Sequence, residues 1–302
     1  MKKILVPVDF SEVSELAAQF AIELAELRDS EVIFLNSAHV DYFHDYQYST
    51  FSNVKSLMDD VYNSMQERMK KFENQFDTRV SITGKVSQTS LLTAIKEEID
   101  EQGADILVMG TSGCSGLEEV FIGSNTERVV RNVSCPVISL PVSKEVKDVK
   151  KILVPLDLRE IRSSFLEKVA AMQKLFSCDL EFLWVKTPHN IENEEVVGKE
   201  LSKIFAEKGI TDFQFFVTNN VFPSDGILIE AHESKADMIA MATHARRGIA
   251  HWLSGSMTED TVNHVDVPVW SFRIDKNEKP LKLNSTENLK GKPEYRKLEV
   301  ID

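Results

Sequence analysis

Ile152-Leu153-Val154-Pro155-Leu156-Asp157 repeats Ile4-Leu5-Val6-Pro7-Val8-Asp9 at an offset of 148, and Gly255-Ser256 repeats Gly123-Ser124 at an offset of 132. A repeat of that period within 302 residues divides the chain into two similar domains, each long enough to bury its own core. The repeated run is short, apolar and rich in branched residues, which fits a strand buried on both faces of a parallel sheet. The offsets differ by about the length of an aromatic-rich stretch, Asp41 to Ser52, which the second copy lacks.

Strands and helices alternate in the first copy. Lys3 to Val8 is predicted as a strand, followed by a helix with Ser11 as N-cap and Leu16, Phe20, Ala21, Leu24 and Leu27 at helical spacing. Glu31 to Ser37 is the second strand, and Asp41 to Ser52 a loop or flap. Val54, Met58, Val61, Met65, Met69, Phe72 and Phe76 then trace one face of a long helix. Arg79 to Val86 is the third strand, Leu92, Ile95 and Ile99 face a third helix, and Asp105 to Val108 is the fourth strand. A fourth helix turns Val129, Val130 and Val133 inward, and Pro136 to Pro141 is a fifth strand whose flanking prolines suit an edge. This alternation predicts an α/β fold with parallel strands and right-handed crossovers.

The predicted domains are residues 1–142 and 150–275, joined by a polar linker over 143–149 and followed by a polar tail over 276–302, extended or disordered. In the second copy, Asp179 to Lys186, Asp212 to Val217, Asp237 to Ala242 and Val267 to Arg273 are strands, and Val196 to Lys208 a helix. Each copy ends in an apolar strand that would be an exposed edge unless the two last strands pair, so the copies are expected to pack as a pseudo-dimer.

Between the fourth strand and fourth helix of the first copy lies Met109-Gly110-Thr111-Ser112-Gly113, with Gly123-Ser124-Asn125-Thr126 opening the helix. Glycines let a ligand approach the backbone, and the free N–H groups of a helix start favour an anion. A phosphate fits that arrangement. Structural readings stand beside it. Ser124-x-x-Glu127 is a capping box, and Asp9, beside Ser11, reads equally well as a turn or cap residue.

The full spacing, Gly110-x2-Gly113-x9-Gly123-Ser124, together with Ile4 to Asp9 and Cys135-Pro136-Val137, resembles the signature of the nucleotide-binding universal stress proteins. The resemblance covers both halves of the chain. It implies tandem doubly wound domains, each a five-stranded parallel sheet in the order 3-2-1-4-5 with helices on both faces, pairing through their last strands, and it implies ATP as ligand. Carried over residue by residue, it places Asp9 by the ribose and triphosphate, as a ligand for accompanying Mg²⁺. Pro7 and Val8 fall near the nucleoside, and the backbone around Ser37 meets the adenine. Met109, Gly110 and Gly113 fall near sugar and phosphates, while Gly123, Ser124, Asn125 and Thr126 take the phosphates.

The second copy departs from this pattern. Ala242 and Ala245 replace Gly110 and Gly113, and Trp184 and Val185 replace Asn36 and Ser37. Added Cβ atoms and large side chains argue against a nucleotide there, although Arg246 and Arg247 keep a weaker anion reading open. His232, His244, His251 and His264 match no metal-binding spacing.

A formal net charge of −13 argues against nucleic acid and anionic membranes as partners. No stretch approaches the length of a membrane span, and Asp9 and Glu12 interrupt the first apolar run, so no secretory leader is expected. Three cysteines without a CxxC pair fit a reducing cytoplasm. The motif from Met109 to Ser124 contains no Lys, Arg or His to neutralise charge on a γ-phosphate. A nucleotide-dependent regulator with little or no turnover follows. The alternatives are a slow ATPase or self-phosphorylating protein using Ser124 or Thr126 as acceptor, and a protein-interaction module without nucleotide.

Overall fold

The structure of the protein, a computed structural model, describes residues 1–39, 51–111, 124–141, 144–243 and 267–284. Among these residues, ten strands form one sheet in the order β3-β2-β1-β4-β5-β10-β9-β6-β7-β8. The first half supplies β1 (Lys3–Pro7), β2 (Glu31–Ser37), β3 (Ile82–Ser87), β4 (Ile106–Gly110) and β5 (Val137–Leu140). The second supplies β6 (Lys151–Pro155), β7 (Asp179–Lys186), β8 (Phe213–Asn219), β9 (Met238–Thr243) and β10 (Val269–Arg273). Each half is parallel throughout and follows the expected order 3-2-1-4-5.

The halves meet where β5 pairs antiparallel with β10, in the register Val269↔Ser139, Trp270↔Ile138 and Ser271↔Val137. Ile138 and Trp270 are counterparts at the repeat offset of 132, so the register is symmetric about that pair, as a two-fold relation requires. The prolines flanking β5 therefore mark the edge of a half, while β5 lies inside the full sheet; Pro136 and Pro141 sit just beyond its ends.

Helices cover both faces. On one, α1 (Glu12–Glu26), α2 (Phe51–Asn74), α5 (Ser163–Phe176) and α6 (Glu194–Glu207) share a core that runs across both halves. On the other lie α3 (Leu91–Gln102), α4 (Ser124–Val130) and α7 (Pro223–Glu233). Neither α5 nor α7 is marked by the sequence patterns used above. Strand residues alternate between the two cores: Ile4 and Val6 face one and Leu5 the other. Burying both faces explains why the strands read as unbroken apolar runs.

Local chemistry sets the helix ends. The Ser11 hydroxyl accepts from the Ser14 N–H at 3.2 Å, the N-cap expected of it. Gly103 closes α3 at φ +68°, where a side chain would be strained. Leu16 and Leu27 depart from the expected inward face of α1 and are exposed, while Phe20, Ala21 and Leu24 are buried. The buried face of α1 is formed by Ser14, Ala17, Ala18, Phe20, Ala21, Ile22, Leu24 and Ala25, and Leu16 and Leu27 fall beyond its edge. Strand β3 begins at Ile82, later than Arg79, and α2 begins at Phe51, within the stretch read as a loop. The rest of that stretch lies outside the described residues.

Two aspartates tie the repeat together. The Asp105 carboxylate accepts from the Lys2 N–H at 2.5 Å and the Lys3 N–H at 3.2 Å. Its counterpart Asp237 accepts from the Lys150 and Lys151 N–H groups, each at 3.0 Å. Each thus satisfies the orphan amides that open the central strand of its half. Between the halves, Val146 and Val149 are buried around a 3-10 turn at Val146–Asp148, and the Val146 N–H donates to Glu23 at 3.0 Å.

Candidate functional site

In an open parallel sheet the ligand crevice lies at the carboxyl ends of the strands where the strand order reverses. In the first half that point falls between β1 and β4, which pair through Ile4↔Ile106 and Leu5↔Leu107. Pro7, Val8 and Asp9 leave the end of β1, Ser37 ends β2, and Met109 and Gly110 end β4. The structure therefore brings these residues to one end of the sheet. Gly113 and Gly123 lie outside the described residues.

Asp9 is anchored before any ligand arrives. Its Oδ1 accepts from the Ser11 N–H at 3.0 Å and the Ser11 hydroxyl at 2.5 Å. Partial burial is the largest influence on its carboxyl and pushes the pKa up, but hydrogen bonds from Ser11 and Ser14 together outweigh it and hold the group below its ordinary value. Asp9 is thus an ionised, oriented carboxylate at the crevice mouth, suited to a hard cation that also binds phosphate oxygens. The turn reading and the ligand reading of Asp9 are both compatible with this geometry.

At the end of β2, Asn36 donates through Nδ2 to the Val8 carbonyl at 2.8 Å, while its Oδ1 is buried without a partner. Such an acceptor costs stability unless something satisfies it, so a bound group with a donor fits here. The Ser37 hydroxyl donates to the Thr89 carbonyl at 2.7 Å, which fixes the end of β2 to the start of α3.

Gly110 has a packing role that the sequence reading did not include. A Cβ at this position would lie 2.2 Å from Val13 Cγ1 and 2.8 Å from the Val13 carbonyl oxygen. The first turn of α1 packs directly on the end of β4. Thr126 is buried, and its hydroxyl donates to the Gly110 carbonyl at 3.3 Å. Asn125 is exposed. Glu127 pairs with Arg131 at 3.1 Å one turn along α4. A pocket at the outer edge of β3, lined by Tyr62, Gln66, Ser87 and Glu97 among others, also includes both partners of the 2.8 Å Lys85–Glu98 ion pair.

At the same end of the second half, larger side chains stand at the counterparts of Asn36 and Ser37. Trp184 is buried on the α5/α6 face, and Val185 is buried against Gly226 and Ile227 on the other. The β6–α5 connection runs from Leu156 to Arg162, longer than Val8 to Ser11, and buries Leu158 and Ile161. Residues Lys276 to Asn284, the start of the segment read as a polar tail, pack on this connection. Leu283 is 1% exposed, and the Leu281 N–H donates to the Ile161 carbonyl at 2.8 Å. Two leucines in a polar stretch are the only signal that could have shown this.

His232 lies on α7, and the other three clustered histidines lie outside the described residues. Among the described residues no group of three or more His, Cys, Asp or Glu side chains could hold a metal, and no helix is long and apolar enough to cross a membrane. Cys135 and Cys178 are free and buried, and burial pushes both thiols up to about 12.

Known proteins resemble this chain in sequence and in fold. The chain is 31% identical over 145 residues to universal stress protein MJ0531 of Methanocaldococcus jannaschii, covering 48% of this chain and 84% of that protein. It is 30% identical over 152 residues to universal stress protein MJ0577 of the same organism, covering 45% and 93%. A universal stress protein from Archaeoglobus fulgidus superposes over 90% of this chain and 98% of its own at a TM-score of 0.67 with 17% identity, a likeness of fold. The sequence model of the universal stress protein family matches residues 1–141 and again 148–273. With one match for each five-stranded unit, the chain belongs to the universal stress protein family in its tandem, two-domain form.

Proposed function

We propose that the protein is an ATP-binding regulator of the stress response that holds one nucleotide per chain, in the first half. The observation that carries this is the Gly110-x2-Gly113-x9-Gly123-Ser124 spacing, which leaves from the end of β4 at the point where the strand order reverses. Residues 1–142 form the nucleotide-binding domain, 143–149 the linker and 150–275 the degenerate partner, paired as an intramolecular pseudo-dimer. Asp9 faces the triphosphate and holds Mg²⁺ with it. Pro7, Val8 and the Ser37 backbone border the nucleoside, and Asn36 Oδ1 is the acceptor that awaits a donor.

Turnover is slow in this reading because the loop supplies no basic side chain to the γ-phosphate. Thr126, buried with its hydroxyl on Gly110, is a poor phosphoryl acceptor. Trp184, Val185 and the longer β6–α5 connection support an empty second crevice. Mass spectrometry of the protein as purified should find a retained adenine nucleotide, and calorimetric titration of stripped protein with Mg·ATP should saturate at one per chain. Saturation at two would overturn the single-site reading, as would the absence of any binding. Steady-state ADP release on the order of 1 s⁻¹ or faster would make the protein an enzyme instead.

A further inference from the structure

Helix α5 starts without a cap from its own sequence neighbours. Arg162 occupies the N-cap position and its side chain caps nothing, in contrast to Ser11 on α1. The cap arrives from the other end of the domain: Glu278 accepts from the Ser164 N–H at 2.9 Å through Oε1 and from the Ser164 hydroxyl through Oε2. The segment that carries Glu278 is held on either side. The Ile274 N–H donates to the Thr243 carbonyl at 3.0 Å, the Leu281 N–H to the Ile161 carbonyl at 2.8 Å, and Leu283 is buried.

The surroundings of this helix start are rich in donors. Arg162 is 7% exposed, and its Nη2 donates to Glu160 at 2.7 Å, but Nε and Nη1 are buried with no partner. The Ser163 hydroxyl takes a bond from Lys208, which also pairs with Glu167 at 2.7 Å. At the start of α5, then, the Ser164 N–H and hydroxyl hold Glu278, the Ser163 hydroxyl donates to Glu167 and accepts from Lys208, and Arg162 at the N-cap position keeps two unpaired donors. Glu278 satisfies Ser164, while the two unpaired Arg162 donors carry the cost that attends any buried unpaired donor.

We propose that the N-terminus of α5 is an anion site of the second half, occupied in the resting chain by Glu278 and open to a phosphate group when the C-terminal strap, Asp275 to Asn284, lifts. A phosphate brings more acceptor oxygens and more charge than a carboxylate. It reaches the Ser164 N–H and hydroxyl together with the fork of Arg162, a side chain whose geometry matches phosphate, at the positive end of a helix. Glu160 and Glu167 temper the field by pairing Arg162 and Lys208, so competition between strap and phosphate decides which anion is seated. The exchange couples anion level to the position of the strap, and it is independent of any nucleotide in the first half.

Hydrogen exchange followed by mass spectrometry on the full chain tests this, with inorganic phosphate against chloride at matched ionic strength. Phosphate should speed exchange in residues 276–284 by tenfold or more, with the Leu281 amide as reporter, while the amides opening α5 stay protected. In Glu278→Ala the strap should exchange fast without phosphate, and phosphate should protect the start of α5 at a concentration at least tenfold lower than in the parent chain. Arg162→Gln should abolish the response. Should that variant fold poorly, Ser164→Ala must show a weakened one. A strap that ignores phosphate in the parent chain, with no phosphate protection of α5 in Glu278→Ala, overturns the proposal. A full response in Arg162→Gln or Ser164→Ala overturns it too, because the phosphate is then bound elsewhere.

Discussion

In the first half the turn from β1 to α1 runs from Val8 to Ser11, caps its own helix and leaves Asp9 at the mouth of the sheet. In the second half the equivalent turn runs from Leu156 to Arg162, buries Leu158 and Ile161, and its helix is capped by Glu278, 114 residues beyond the Ser164 that it holds. The strand order, the antiparallel seam and the paired aspartates are common to both halves. The two copies therefore share what the sheet needs and differ in the residues around the crevice.

The seam offers the largest test of the common part. Trp270 is fully buried between the halves, 6.2 Å from Phe165 and 6.3 Å from Phe272 by ring centroids. Trp270→Ala should cost about 3–5 kcal/mol, the usual range for a buried aromatic, read from the urea midpoint. Its smaller counterpart Ile138→Ala should cost less, and a milder loss for Trp270→Ala would mean the seam is not shared equally.

Next comes the part that differs. Gly113→Leu should lower ATP affinity at least 100-fold, about 2.7 kcal/mol, while Ala245→Leu leaves the titration within about twofold. Equal effects of the two changes would dissolve the contrast between the crevices. Gly110→Ala tests whether that glycine also serves packing: it should destabilise the fold by about 1–3 kcal/mol through overpacking on Val13. If calorimetry shows only weaker ATP binding with an unchanged unfolding midpoint, Gly110 serves the ligand alone.

The smallest effect concerns pH. Burial is the largest influence on Asp237 and raises its pKa, yet hydrogen bonds from Lys144, Lys150 and Lys151 prevail, so the folded value lies below the unfolded one. A depressed carboxylate contributes stability above its unfolded pKa of about 4 and loses it as pH falls through the folded value. Stability measured from pH 5 down to pH 2 should therefore decline less steeply in Asp237→Asn than in the parent chain.

Much of the scaffold was legible because it rests on local rules. Buried strands read as apolar runs, Ser11 declared itself as a cap, and the two copies of ILVP-x-D announced the duplication. The departures came where partners are distant. Leu16 and Leu27 match the helical period of α1 but point to solvent, because period says which residues share a face and not how wide a face the sheet covers. Gly110 looked like room for a ligand, and only the position of Val13 shows that helix packing needs the same space. The orphaned Oδ1 of Asn36 has no signature at all in a sequence.

By itself, the order of residues determined the class of fold, the two-fold repetition, the strand order carried by the family resemblance, and which copy keeps its glycines. These follow from periodicity, from backbone freedom and from the spacing of a loop, all of which are properties of neighbours along the chain. Tertiary structure decided that β5 and β10 meet in a register symmetric about Ile138 and Trp270, that Thr126 turns to Gly110, and that Glu278 caps α5. Each of these joins groups far apart in the chain. Their pairing is set by which buried donors and acceptors remain unsatisfied once the sheet has formed.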